Sequence, residues 1–246
     1  MRPVGVVILF RTANTLESIA EEGTMSRRIT WPALVWVLAI GSMAAQAPGG
    51  KQAAHKLHGD PKAYIAALDD PKRDAYQKPH EVMEALGIKA GEVVADIGAG
   101  SGYFTLPLAH HVGPAGRVYA VDVSADMVRH LHARVRDMKL LNVSPILAPP
   151  DDPLLPQPVD RFVIVDVWHH IENQVGYLTL MKEHLKPGGQ VVMIDFHKRD
   201  LPVGPPADMK IAREDLLKQM EANGFRLVTE HTFLPYQYFL VFAVAG

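Results

Sequence analysis

From Glu92 onward the chain alternates short apolar runs with amphipathic stretches. The runs are Val93–Ile97, Val118–Val121, Phe162–Val167 and Val191–Ile194. Each is continuously apolar rather than alternating, the pattern of parallel strands buried on both faces. Between them, apolar positions recur at helical spacing over Ser124–Met138, Gln174–Leu185 and Ile211–Asn223. Two helices are predicted ahead of the first strand, Tyr64–Leu68 and Pro79–Leu86, the second with Val82, Met83 and Leu86 on one face. Strands alternating with helices predict an open α/β sheet covered by helices on both faces. The end breaks this rhythm. Phe225–Phe233 and Tyr236–Val244 read as strands joined only by Leu234-Pro235. So short a link holds no crossover helix, so the two strands form an antiparallel hairpin. Pro145–Pro158, rich in proline, reads as a stiff loop.

The first fifty residues follow a different pattern. Arg27-Arg28 precede an apolar segment from about Ile29, which ends in Ala45-Gln46-Ala47. A basic start, an apolar middle and an A-x-A end describe a secretory signal, with cleavage after Ala47. An uncleaved membrane anchor is the other reading, since about 19 apolar or small residues are close to a bilayer span. Either way the bulk of the chain is expected to be exported, with membrane contact only through this segment. A start at Met25 would give the signal better proportions. The expected organisation is residues 1–47 as signal or anchor, 48–73 as linker and N-terminal helix, and 74–246 as the catalytic domain. A cytoplasmic location is the alternative.

Composition narrows the chemistry by exclusion. The 246 residues carry a net charge of −2, so no nucleic-acid partner is indicated. There is no cysteine, which removes disulfides, thiolate metal sites and a cysteine nucleophile. His55 and His58 have metal-pair spacing but no supporting acid cluster, and no metal is expected.

The most informative motif runs from Val93 to Phe104. A buried strand ends in Asp96, and Gly98, Ala99, Gly100, Ser101 and Gly102 follow. Alternate glycines permit positive φ and let a ligand approach bare backbone, and the helix beyond offers free N–H groups. The spacing is Gly-x-Gly-x-Gly, whereas a dinucleotide fingerprint needs Gly-x-Gly-x-x-Gly. An acid just before the loop repels a pyrophosphate and suits an ammonium. A second strand ends in Asp122, about 20 residues on, where an acid accepts hydrogen bonds from both ribose hydroxyls. A ligand with an amino-acid end and a ribose end fits both acids, and S-adenosylmethionine is such a ligand.

At this point the chain resembles the class I S-adenosylmethionine-dependent methyltransferases, over about Asp74 to Val244. Val93–Gly102 is similar to the family's first motif and Tyr119–Val123 to its acidic second-strand motif. Val159–Ile171 resembles the fourth-strand motif, and Leu185–Val192, with Lys186-Pro187-Gly188-Gly189, the turn into the fifth strand. The nearest likeness is to small ubiquinone/menaquinone-biosynthesis-type enzymes, the methyltransferase type 11-like subgroup. The resemblance implies a Rossmann-like fold with a mostly parallel seven-stranded sheet and a C-terminal antiparallel hairpin. It implies S-adenosylmethionine as cofactor and a small-molecule acceptor. Gly98, Gly100 and Gly102 would floor the cofactor's methionine end, with Ala99 and Tyr103 also cofactor-binding and Asp96 holding its amino group through backbone or water. Asp122 would take the ribose, and Val123 and Met127 would lie against the adenine. After the third strand the family usually has Gly-Asp-Ala, where this chain has Ala148-Pro149-Pro150 and then Asp151. Either Asp151 replaces the adenine contact or the contact is lost.

Further candidates carry two readings each. His169, His170 and Asp166 follow the fourth strand at the edge where α/β sheets bind ligands. They read as acceptor-pocket or proton-handling groups, Asp166 also as a cofactor contact, or as local structure. Tyr103, Phe104 and Trp168 either shield a sulfonium or pack in the core. Tyr76–His80 resembles a cap over the cofactor, and Asp195-Phe196-His197 ends the fifth strand. Methyl transfer from a sulfonium relies on alignment, so no fixed catalytic residue is implied. The competing functions are a binding protein of the same fold without activity and a nicotinamide-dependent oxidoreductase.

Overall fold

The computed structural model describes residues 60–246. The signal or anchor expected over 1–47, the alternative start at Met25, most of the linker and the His55/His58 pair lie outside the described residues. Helix α1 (Pro61–Leu68) starts where the Asp60 carboxylate accepts from the amides of Lys62 and Ala63, with proline at its first position. A 3₁₀ turn (Pro71–Arg73), the short α2 (Asp74–Gln77) and α3 (Pro79–Leu86) follow. Helix α3 ends at Gly87, whose φ of 56° no β-carbon disfavours.

The sheet is built from β1 (Val93–Ile97), β2 (Arg117–Asp122), β3 (Val143–Leu147), β4 (Val159–Val165), β5 (Leu185–Phe196), β6 (Phe225–His231) and β7 (Gln237–Val244). Its order is β3-β2-β1-β4-β5-β7-β6. The first five strands pair in parallel, and β7 runs antiparallel between β5 and β6. Helices α4 (Thr105–Val112), α5 (Ala125–Asp137), α6 (Gln174–His184) and α7 (Arg213–Ala222) cover it. One core layer joins Ile97, Phe162, Trp168 and Met193 to Leu178 of α6 and Leu216 of α7. The other joins Val94, Val118 and Phe239 to Leu108 of α4 and Leu131 of α5. The central strands are therefore apolar on both sides, as their unbroken runs require. Among the described residues no helix is long and apolar enough to cross a membrane.

Three expectations change. Pro145 lies inside β3 rather than in a loop. That strand is at the sheet edge, paired only with β2, where a missing N–H costs no ladder bond. Strand β4 stops at Val165, because Asp166 adopts a φ of 58° and turns the chain. The expected turn at Lys186–Gly189 is instead a bulge within β5, between the pairs Val159–Leu185 and Arg161–Gln190.

Candidate cofactor and acceptor site

The parallel register brings the ends of β1, β2 and β4 level: Ile97 pairs with Val121 on one side and Ile164 on the other. The glycine loop leaves this edge. The amides of Gly98 and Ala99 both donate to the Val121 carbonyl, at 2.8 and 3.0 Å. Gly98, Gly100 and Gly102 all have positive φ, at 70°, 55° and 92°. A β-carbon on Gly98 would lie 2.3 Å from Val167, and one on Gly102 would lie 2.5 Å from Leu131. Gly98 is thus required by protein packing as well as by backbone angle, whereas at Gly102 the contact is the tip of a leucine side chain and the backbone angle is the firmer constraint. A β-carbon on Gly100 would meet Leu68 of α1 at 3.1 Å, so α1 lies over the loop.

The two acids of the motif face different surroundings. Asp96 is buried and accepts from the Thr105 hydroxyl at 2.5 Å; burial pushes its carboxyl up to about 7, the Thr105 bond opposes this, and the Asp122 charge adds to it. Its side chain points into the α4 layer, which leaves the backbone or a water as its route to a ligand. Asp122 ends β2 and accepts from the Gly100 amide and the Ser124 amide, each at 2.8 Å. Burial raises its pKa and the backbone amides hold it back.

A second polar group sits where β4 and β5 end and β7 begins. Asp166 accepts from the side-chain amides of Gln77 in α2 and Gln237 in β7, both at 2.8 Å. The carbonyl oxygens of both glutamines are buried without a partner, and so is the hydroxyl of Tyr238. Burial and the Asp195 charge push Asp166 up to about 7, against the Gln237 bond. His169 Nδ1 lies 2.9 and 3.0 Å from the two carboxylate oxygens of Asp195, and both side chains are 2% exposed. Burial lowers the pKa of His169, but the bond to Asp195 and the charges of Asp195 and Asp166 outweigh it, for a net rise.

The segment before β1 is more than a linker. Arg134 of α5 donates to both the Ser101 carbonyl at 2.8 Å and Asp69 at 2.9 Å, tying the end of α1 to the glycine loop. The Tyr103 hydroxyl bonds Asp74, and Arg73 stacks 4.2 Å from the Tyr103 ring centroid. Tyr64 of α1 feels the charges of both Asp122 and Asp166. Tyr76 packs against Phe196 and Tyr236.

The remaining candidates divide plainly. Phe104 and Trp168 are buried in the core, and the Trp168 indole donates to Gln219 of α7. Tyr103 is held by the cap. Met127 is buried and Val123 is exposed beside Asp122. Asp151 is an exposed residue of the turn after β3, and His170 is exposed with its ring 4.1 Å from that of His169. Gln237, Tyr64 and Leu68 escaped sequence reasoning. Only their tertiary placement distinguishes them from other strand and helix residues. Among the described residues no cluster of metal-ligating side chains occurs. A cleft of about 430 Å³ between Lys182, Gly189 and Val244 lies at the opposite edge, away from the strand ends that bind ligands in open α/β sheets.

A parallel sheet closed by a reversed β7, with a glycine loop after β1 and an acid ending β2, defines a Rossmann-like methyltransferase domain. Comparison with known proteins agrees. Residues 94–189 match the family model described as "Methyltransferase domain". The chain is 30% identical over 118 residues to the demethylmenaquinone methyltransferase of Geobacillus sp. (strain WCH70), covering 47% of this chain and 50% of that protein. It is 30% identical over 153 residues to the same-named protein of Staphylococcus aureus (strain JH9), covering 60% and 55%. A crystal structure of a SAM-dependent methyltransferase from Aquifex aeolicus superposes with a TM-score of 0.70 at 28% identity, covering 76% of this chain and 99% of that one. Residues 94–189 thus carry a methyltransferase domain, and the chain is similar to class I S-adenosylmethionine-dependent methyltransferases, which supports S-adenosylmethionine as its cofactor. It spans about half the length of the curated relatives it matches.

Proposed function

We propose that the protein transfers a methyl group from S-adenosylmethionine to a small-molecule acceptor at the C-terminal edge of the sheet. The observation that carries this reading is the Asp122 carboxylate, held by the Gly100 and Ser124 amides beside the glycine loop. A carboxylate there accepts from a ribose diol. Asp166, with the unpartnered carbonyl oxygens of Gln77 and Gln237 around it, suits the ammonium of the cofactor's amino-acid end. The cofactor supplies the activated methyl group; the residues described hold, orient and desolvate the reactants. Asp151 is open to solvent and free to approach the adenine edge from the turn after β3.

The names of the curated relatives make a reduced quinone ring the first acceptor to assay. The Gly-x-Gly-x-Gly spacing and Asp96 speak against a nicotinamide cofactor. We also take residues 1–47 to direct export or anchoring, on the strength of Arg27-Arg28, the apolar run and Ala45-Gln46-Ala47. Calorimetric titration tests the cofactor site: S-adenosylhomocysteine is expected to bind and NADH is not, and the reverse would overturn the reading. Methyl transfer from labelled S-adenosylmethionine to 1,4-naphthohydroquinone tests the acceptor.

A further inference from the structure

His169, in the 3₁₀ turn Trp168–His170 that follows β4, and Asp195, near the end of the neighbouring β5, meet at 2.9 Å with both side chains almost wholly enclosed. Taking two ionisable groups out of water is costly, and such a pair by itself is weak evidence for stability. Its orientation is informative. A carboxylate only accepts, so Nδ1 of His169 carries the proton that Asp195 receives, and the lone pair of the neutral ring is then on Nε2. Asp195 is itself fixed by the Phe196 amide, which donates to Oδ1 at 2.8 Å. A histidine whose tautomer is set by a buried carboxylate, at the edge where the sheet binds ligands, is arranged as a proton acceptor.

Resting on the methyltransferase reading above, we propose that His169 Nε2 removes the proton of the acceptor's nucleophile, with Asp195 as its positioning residue. The acceptor class this selects is a molecule whose nucleophile gains its lone pair by losing an acidic proton, a phenol or hydroquinone hydroxyl. The acceptor O–H bond breaks and its proton passes to Nε2. The freed electron pair, on oxygen or delocalised to a ring carbon, forms the bond to the methyl carbon. The S–CH₃ pair stays on sulfur, which becomes a neutral thioether. If carbon is methylated, the ring proton then leaves to solvent and restores the aromatic ring, and the proton held on Nε2 returns to the oxygen. No oxidant or reductant is consumed.

The groups facing His169 fit this role. Asp195 from β5 and Asp166 after β4 make its ring more basic, while Lys210, beyond β5, opposes them. Tyr238 of β7, paired in register with Asp195, brings an unpartnered buried hydroxyl to the same corner, and the His170 ring lies tilted against that of His169.

The test uses the full chain with S-adenosylmethionine and 1,4-naphthohydroquinone, kept reduced, over a pH series. The wild type is expected to lose rate on the acid side with a midpoint above the ordinary histidine value of 6.5. Asp195→Asn turns an amide N–H toward Nδ1 and disfavours the required tautomer. Its kcat is expected to fall by about 10²–10⁴-fold, while affinity for S-adenosylhomocysteine is retained. His169→Gln is expected to cost less with a ring-chlorinated, more acidic hydroquinone than with the parent, because that hydroxyl ionises unaided. Equal slowing of both acceptors, or a wild-type pH profile in His169→Gln, would overturn the proposal. Because either variant could unfold, nitrogen NMR of the wild type gives an independent reading. A neutral His169 protonated on Nδ1 supports the proposal, and one protonated on Nε2 refutes it. If the wild type binds S-adenosylhomocysteine but does not methylate the hydroquinone, the quinone reading fails, and the tautomer still decides the role of His169.

Discussion

The backbone amide of Gly100 donates to the carboxylate of Asp122 across 2.8 Å, joining the glycine loop of β1 to the tip of β2. The bond pins the middle of the loop and orients the acid toward it. One contact therefore couples loop geometry to nucleoside binding. Replacing Asp122 with alanine removes the acceptor of two backbone amides along with the ribose contact. Binding of S-adenosylhomocysteine is expected to weaken by about 1.5–3 kcal/mol, the range for hydrogen bonds to a charged group. Calorimetric titration measures it, and an unchanged dissociation constant would remove Asp122 from the site.

Gly100→Ala and Gly98→Ala separate backbone strain from crowding. At Gly100 the new methyl group meets Leu68 at 3.1 Å with φ at 55°. The expected cost is about 1–2 kcal/mol, seen as a lower melting temperature without ligand. At Gly98 the methyl group would lie 2.3 Å from Val167, whose β-branched side chain gives little. Overpacking adds about 1–3 kcal/mol there, so Gly98→Ala melts lower than Gly100→Ala. Leu68→Ala in the Gly100→Ala background is expected to recover the steric part alone. Full recovery would show that φ carries no penalty.

Asp96 makes stability depend on pH. Its carboxyl is raised by burial from 3.8 to about 7 in the folded chain. Between those values the native state holds a proton that the unfolded chain has lost. Stability from this group is therefore complete below about pH 4, falls as pH rises toward 7, and is level above that. Asp96→Asn lacks this loss. Its unfolding free energy relative to wild type is expected to improve by up to about 4 kcal/mol between pH 4 and 7.5. Urea unfolding at the two pH values measures the difference; parallel pH slopes would show that Asp96 titrates normally.

Arg134 ties the cap to the loop through Ser101 and Asp69. Both ion-pair partners are about one-third exposed, so the Arg134–Asp69 pair itself is worth little, about 0.2–1 kcal/mol. The visible effect of Arg134→Ala is local. Amides of α1 are expected to exchange with deuterium faster while those of β1 and β4 do not, and a uniform change across the domain would contradict a cap held by this residue.

Strands β1, β2, β4 and β5 could be read along the chain because a parallel strand buried on both faces is apolar along most of its length. The glycine loop could be read because positive φ selects glycine, and the C-terminal hairpin because its link is too short for a crossover. Pro145 misled, since proline reads locally as a loop and only the edge position of β3 admits it. Three-dimensional packing alone decided the site's polar partners. Gln77 and Gln237 reach Asp166 from 89 and 71 residues away, and Asp195 reaches His169 from 26. Periodicity reports which face of an element is buried, because burial repeats with the local backbone. It holds no information on which polar side chain meets which across the sheet edge, since that depends on strand order, on where each strand stops and on the cap that α1 and α2 lay over the loop.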